Sequence, residues 1–175
     1  MGTAGGIAVP AGSGDGSVRL EVATLPALIE LCGDIRPDVA HQFEAMYGRK
    51  WSAAGVALDI DGRYGEKFML LDGEGRPVCA AGWEPLRPGV FDGWMVSSMA
   101  DWQVHGKSIT KYCRRIMEHM LSTGAHRLQI HCLKSRTQAA NWYVRGLKMQ
   151  HNGDLPCYGV NGEDAAVYAR VGAMK

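Results

Sequence analysis

The sequence contains no apolar run approaching the roughly 20 residues that a membrane-spanning helix needs. Neither basic nor acidic residues are in clear excess: the sequence has 19 basic and 18 acidic residues and a net charge of +1. Nucleic-acid-binding proteins usually carry a basic surface, so this balance argues against a nucleic-acid partner. The N-terminus also lacks the basic start and continuous apolar core of a secretory signal. These absences predict a cytoplasmic protein that is not bound to a membrane.

Cysteines at metal-binding spacing are missing as well. The number of cysteines is odd, and none lies two to four residues from another: Cys32, Cys79, Cys113, Cys132 and Cys157. Such spacing suits neither a disulfide framework nor a zinc site. We therefore expect buried thiols in a reducing compartment and no bound metal.

The 175 residues suffice for one domain with its own hydrophobic core. Residues 1–16 are rich in Gly, Ser and Ala, which predicts a flexible N-terminal arm. An arm that docks on a partner is the alternative. The remainder, 17–175, is expected to form a single domain.

Apolar periodicity predicts helices and strands in the order strand, two helices, three strands, helix, strand, helix, two strands. The clearest hairpin joins 67–71 to 77–83 through a glycine-containing turn. A further short helix is expected around 52–58. A loop bounded by Pro85 and Pro88 should follow the hairpin.

A strand over 90–98 and the most periodic helix, which starts near Ile109, flank a polar segment, 103–108. The start of a helix offers unpaired backbone N–H groups and the positive end of its dipole, so a pyrophosphate can bind there. Gly106 would let the backbone approach the phosphates, and Lys107 would add a cation. Taken alone, the segment is better explained as an ordinary helix start with a permissive glycine, and it is the order of the flanking elements that favours a pyrophosphate site.

This segment resembles the acetyl-CoA loop Q/R-x-x-G-x-G/A of the GNAT (GCN5-related N-acetyltransferase) superfamily. Gln103 and Gly106 match the pattern, and Ser108 replaces the final small residue. Downstream, 142–147 is similar to the family's Y-x-x-G-F ending, with Leu in place of Phe. Arg136 stands where an Asn is common in the family.

The resemblance implies an α/β (α+β) fold with a mixed, mostly antiparallel sheet of six to seven strands, about four helices, and a central parallel pair splayed to hold CoA. It implies transfer of an acetyl group from acetyl-CoA, as co-substrate, to an amine. The pantetheine arm would lie on 96–98 and the pyrophosphate on 103–108. The cofactor-binding residues would be Val96, Ser97, Ser98, Gln103, Val104, His105, Gly106, Lys107 and Ser108.

The resemblance also implies catalytic positions. Tyr143 stands where the family commonly places its general acid, although a core Tyr is the alternative. Glu84 and Asp92 lie near the expected acceptor cleft, where either could deprotonate an ammonium through one water. Each could equally be a solvated loop carboxylate. His126 and His131 are expected on opposite sides of a strand, without a metal.

Four tryptophans surround the expected cleft in sequence: Trp83, Trp94, Trp102 and Trp142. They would either line an acceptor site or fill the core. The tail 158–170 resembles GNAT-like proteins of tailed phages, some of which are internal virion components. That narrower resemblance implies the alternative of a catalytically inactive structural or interaction protein. Its partners would be virion proteins or further copies of the chain, instead of acyl-CoA and an amine.

Overall fold

Seven strands and five α-helices make up residues 18–172, the part of the chain that the computed structural model describes. The strands are β1 (Val18–Val22), β2 (Glu66–Asp72), β3 (Pro77–Arg87), β4 (Val90–Ser97), β5 (Arg127–Leu133), β6 (Gln150–Leu155) and β7 (Ala165–Val171). The helices are α1 (Leu25–Gly33), α2 (Pro37–Tyr47), α3 (Ala53–Gly62), α4 (Met99–Thr123) and α5 (Thr137–Asn141), which continues into a π-helical turn, Trp142–Gly146. The predicted arm, 1–16, lies outside the described residues.

The strands form one sheet in the order β1-β2-β3-β4-β5-β7-β6. Every neighbouring pair is antiparallel except β4 and β5, which are parallel and joined by the crossover helix α4. The β4–β5 ladder contains three residue pairs and ends where Asp92 faces Gln129. Beyond that pair the strands separate. The predicted mostly antiparallel sheet with a splayed parallel pair is therefore confirmed.

Side chains alternate between the two faces of the sheet, and each face carries its own core. On β2, Phe68 and Leu70 join the core under α4, whereas Met69 joins the core under α1 and α3. The apolar residues of α4 that periodicity singles out are buried in the first core: Ile109, Tyr112, Cys113, Ile116, Met117 and Met120. The second core includes Leu28, Cys32, Val56 and Ile60.

The predicted hairpin and the predicted short helix both form, and α3 is longer than expected. Ser52 caps α3 by accepting a hydrogen bond from the Gly55 N–H at 3.2 Å. The predicted loop between Pro85 and Pro88 is wrong, because β3 continues to Arg87. The β3–β4 register shifts between Pro85 and Arg87, and such an irregularity accommodates a residue that lacks an N–H.

The predicted loop at 103–108 is also wrong in its conformation. Helix α4 begins at Met99, so this segment forms its second and third turns, with backbone N–H groups bonded within the helix. The physical reason is a capping arrangement just after β4. The Ser98 hydroxyl accepts a hydrogen bond from the Asp101 N–H at 3.0 Å and contacts the Asp101 carboxylate.

Gly106→Ala tests the helical conformation. Its new Cβ would lie 3.7 Å from the Trp102 ring, an ordinary contact, and Ala is the better helix former. We expect the free energy of unfolding, measured by urea denaturation, to rise by about 0.5–1 kcal/mol. Gly65→Ala is the matched control, because Gly65 has φ +99° and a Cβ there would come within 2.1 Å of the Trp83 carbonyl. It should lower stability by about 1–3 kcal/mol. Destabilisation by Gly106→Ala would contradict a helical Gly106.

Candidate functional site

A cavity of about 490 Å³ opens where β4 and β5 separate, and we call this region the cleft. Its walls come from β4, β5 and the facing sides of α2 and α3. The lining includes Gln42, Asp92, Val96, His131, Arg136 and Tyr143. Of the residues proposed from sequence, the cleft brings together Glu84, Asp92, Val96 and Tyr143. Ser97, Ser98 and 103–108 are not part of its lining.

The edge of β4 that faces the cleft is free to bind an extended chain. On its other side β4 pairs with β3 as far as Ser97, but its pairing with β5 stops at Asp92. Within residues 18–172, the β5-facing backbone groups of 93–97 have no strand partner. An extended ligand could add to such an edge as a strand does.

The opposing edge of β5 is already occupied by a side chain of α2. The Gln42 amide donates from Nε2 to the His131 carbonyl at 3.3 Å, and its Oε1 accepts from the Leu133 N–H at 3.2 Å. The amide thus takes the place of a neighbouring strand on β5. Of the two edges that border the cleft, only that of β4 remains open.

Asp92 and His131 join the two strands just beyond the end of their ladder. The His131 Nδ1 lies 2.9 Å from the Asp92 Oδ1, and the imidazole stacks on Tyr158 with 4° between the rings. The hydrogen bond and charge of Asp92 raise the pKa of His131 above its usual 6.5, against the effects of burial and of Arg127. With Nδ1 held by the carboxylate, Nε2 is the nitrogen left to exchange a proton.

Sequence reasoning gave His131 no role. The register pairs Asp92 with Gln129, and His131 lies two residues further along the same face of β5. The alternation Gln129–His131 was visible in the sequence, but the register that brings this face beside Asp92 was not.

The second proposed base, Glu84, is engaged by an arginine. Its Oε1 accepts from the Arg63 Nη1 at 2.8 Å, and the same guanidinium binds Asp59 at 2.8 Å. Burial opposes the charge on Arg63, but these partners raise the pKa of Arg63 above its usual value. Glu84 therefore belongs to an ion-pair network in the cleft wall, with one oxygen committed to a permanent cation.

Tyr143 lies at the base of the cleft in the π-helical turn, and 7% of its surface is exposed. Burial raises the pKa of Tyr143 well above its usual 10, and the neighbouring Cys132 thiol adds to that rise. The phenol therefore stays protonated across the neutral range and can donate a hydrogen bond. The neighbouring Trp142 fixes the turn by donating from Nε1 to the Thr110 hydroxyl at 2.9 Å.

The start of α4 does not fit the pyrophosphate of CoA. The N–H groups of 103–108 are used within the helix, and the side chains of Val104 and Lys107 are exposed. The first turn is closed by Ser98 and Asp101, and the Asp101 carboxylate places a negative charge where phosphates would need donors. The β4 edge, in contrast, fits the uncharged pantetheine arm.

The tryptophans and cysteines that the sequence analysis singled out lie in different surroundings. Trp94 lines the cleft, whereas Trp83 is buried in the core under α4. Cys157 is exposed, contrary to expectation, and the other four cysteines are buried.

Among residues 18–172, no helix is long and apolar enough to cross a membrane, and no three His, Cys, Asp or Glu side chains are grouped to hold a metal ion.

No protein-family model matches the sequence, and no curated protein matches it. Solved structures are nevertheless similar in fold. RimL, a ribosomal L7/L12 alpha-N-protein acetyltransferase in complex with coenzyme A, superposes with a TM-score of 0.70 and 16% identity. The match covers 94% of this chain and 97% of RimL.

Two further structures extend the similarity. A GCN5-related N-acetyltransferase from Kribbella flavida has a TM-score of 0.64 and 16% identity, covering 89% of this chain and 98% of that one. The protein yncA from Salmonella typhimurium, described as an acetyltransferase with its cofactor acetyl-CoA, has a TM-score of 0.68 and 13% identity over 91% of this chain and 96% of its own. The described part of this chain therefore has the fold of the GNAT acetyltransferases.

Proposed function

We propose that the protein is an N-acetyltransferase that transfers an acetyl group from acetyl-CoA to an amine bound in the cleft. One observation carries the proposal. The cleft between the splayed parallel strands contains a protonated phenol, Tyr143, and an imidazole held by a carboxylate, His131 with Asp92. These are the two proton-transfer groups that acyl transfer from a thioester to an amine requires.

The pantetheine arm would bind the free edge of β4, around Val96, by strand-like hydrogen bonds. RimL and yncA, which share the fold, are described with coenzyme A and acetyl-CoA respectively. Ser97 and Ser98 are buried at the end of this edge, where β4 turns into α4. They would limit how far the arm can extend toward the helix.

In the reaction, His131 removes a proton from the ammonium group of the acceptor, and Asp92 positions the imidazole. The amine nitrogen then forms a bond with the acetyl carbon, and the carbon–sulfur bond breaks. The His131 Nε2 releases the first proton to solvent, the bonded nitrogen then loses its second proton to the neutral imidazole, and the departing sulfur takes a proton from Tyr143, which regains one from solvent. Glu84, bound to Arg63, would shape the cleft instead of acting as the base.

The residues of the cleft wall also indicate which kind of amine the cleft would bind as acceptor. Phe43, Trp51 and Trp94 line it, with the Phe43 and Trp51 rings in an edge contact at 5.4 Å. Arg63 and Glu84 supply a charged pair on the same wall. An amine with an apolar or aromatic body would match these surfaces better than a strongly charged one.

A catalytically inactive GNAT-like structural or interaction protein, such as a virion component, is the second candidate. The observation that favours it is the Asp101 carboxylate at the start of α4, because the phosphates of CoA would meet a like charge there. None of the three structures described above is described as a phage protein. Ligand binding separates the two candidates.

Isothermal titration calorimetry with acetyl-CoA and a thiol-release assay with a panel of amines test the activity. We expect wild-type protein to bind acetyl-CoA, and Tyr143→Phe to bind it equally while kcat falls about 100-fold, because the leaving sulfur loses its proton donor. Tyr168→Phe is the matched control, since its ring packs on Tyr143 at 5.5 Å outside the cleft lining, and it should keep wild-type kcat. Absence of acetyl-CoA binding by the wild-type protein at millimolar concentration would favour the inactive candidate.

NMR titration of His131 tests the proposed base. Because Asp92 stabilises the protonated imidazole, the pKa of His131 should lie above 6.5 in the wild-type protein and fall in Asp92→Asn. The neutral imidazole is the active base, so kcat/KM should rise with pH through this pKa, and Asp92→Asn should move that rise to lower pH. Asp154→Asn, the same change at a carboxylate bound to Lys134 and His151, should leave the His131 pKa unchanged. A kcat/KM profile unaffected by Asp92→Asn would refute His131 as the base.

A further inference from the structure

The His131 imidazole is bound at one edge and covered on one face. Its Nδ1 lies 2.9 Å from the Asp92 Oδ1. Its face lies against the Tyr158 ring, with 5.7 Å between the ring centroids and 4° between the ring planes. Tyr158 belongs to the connection between β6 and β7, 156–164, which we call the β6–β7 loop. Two strands and a loop that is distant in sequence thus meet at one imidazole.

The hydrogen bond to Asp92 fixes only part of the geometry that a base needs. In a neutral imidazole the proton lies on either nitrogen, and the hydrogen bond made by one nitrogen decides which form is present. If the ring tilted away from Asp92, that selection would be lost. His131 would then carry its proton on Nε2 for part of the time, and a protonated Nε2 cannot accept a proton from an ammonium group. A contact on the face of the ring prevents this tilt.

The β6–β7 loop holds Tyr158 through its own backbone. The Tyr158 and Gly159 N–H groups both donate to the Glu163 carbonyl at 2.9 Å. The Cys157 N–H donates to the Asp164 carboxylate at 3.0 Å. Gly159 is buried, and a Cβ there would come within 2.3 Å of the Glu163 carboxylate. The loop is therefore packed closely upon itself on both sides of Tyr158.

The β6–β7 loop is also bound to α2, which flanks the cleft. The Val160 N–H donates to the Ala45 carbonyl at 2.8 Å, and the Val160 side chain packs against Gly48 at the end of α2. The same helix carries Gln42, which binds the edge of β5 on either side of Cys132. Tyr158 and the strand that carries His131 are thus both held to α2. Half of the Tyr158 surface is exposed, so its ring adds little to the hydrophobic core.

We propose that Tyr158 is the positioning residue of the His131 base, holding the imidazole so that Nδ1 stays on Asp92 and Nε2 is left to accept the proton of the acceptor. This inference rests on the proposed N-acetyltransferase function. Tyr158 exchanges no proton and acts only through His131. Stacking uses the ring alone. Phenylalanine should therefore replace Tyr158, and leucine should not.

Nitrogen NMR of the His131 side chain tests the positioning without any activity readout. At a pH where His131 is neutral, we expect mainly the Nδ1–H form in the wild-type protein and in Tyr158→Phe. Tyr158→Leu should give a mixture of the two forms, with loss of the ring-current shift that an aromatic neighbour imposes on the His131 ring protons. Tyr64→Leu is the matched control, because that tyrosine is 86% exposed, and it should change neither signal. Unchanged tautomers in Tyr158→Leu overturn the inference.

A double-mutant cycle tests whether Tyr158 acts through His131. We expect Tyr158→Leu to lower kcat about tenfold with acetyl-CoA affinity unchanged, and Tyr158→Phe to stay within about twofold of wild-type kcat. In a His131→Asn background, Tyr158→Leu should cause no further loss, because the group that it positions is gone. A tenfold loss that persists in that background overturns the inference, since Tyr158 would then act on the acceptor or on the cleft directly.

The outcomes separate this inference from the proposed function. Wild-type protein that neither binds nor turns over acetyl-CoA overturns the proposed function, whereas the NMR signals of Tyr158→Leu still decide whether Tyr158 positions the imidazole. Active wild-type protein, with the same His131 tautomers in Tyr158→Leu as in the wild type, overturns the positioning role alone.

Discussion

The early separation of β4 and β5 is the constraint on which the rest of the structure depends. Two parallel strands that part after three residue pairs leave backbone donors and acceptors without partners inside the protein, and buried polar groups of this kind must be satisfied. The fold provides hydrogen-bond partners for one of the two strand edges only. The Gln42 amide binds the edge of β5, whereas the facing edge of β4 beyond Asp92 has no strand partner within residues 18–172. The cavity, the free edge and the position of α2 all follow from this one separation.

The same separation places the reactive groups. Asp92 is the last residue of β4 that pairs with β5, and His131 lies two residues past its partner Gln129, so their contact spans the point where the two strands diverge. Tyr143 approaches from the helix that follows β5, in a turn widened by a π-helical bond pattern. The proposed acid and base thus come from different elements, and the shape of the cleft fixes their relation to each other.

The sequence predicted what local chemistry decides. The glycine-containing turn defined the β2–β3 hairpin, and apolar periodicity located the buried face of α4. The sequence prediction of where α4 begins was wrong, because Gly106 suggested a start after residue 106. The signal that decides the start is Ser98 followed by Asp101, which caps the helix at Met99. The sequence also could not reveal Asp92 with His131 or Asp38 with Arg136, because those contacts depend on strand register and on helix packing across about 40 and 100 residues of chain.

The order of the strands has a consequence for how the molecule meets other chains. The outer strands are β1 and β6. The first carries the ion-paired Arg19 and Glu21, and the second has an irregular register between His151 and Asp154. Charged and irregular outer strands discourage the edge-to-edge association through which sheets aggregate. Within residues 18–172, the unpaired edge without such protection is therefore the one inside the cleft, which is where we propose that the extended pantetheine arm binds.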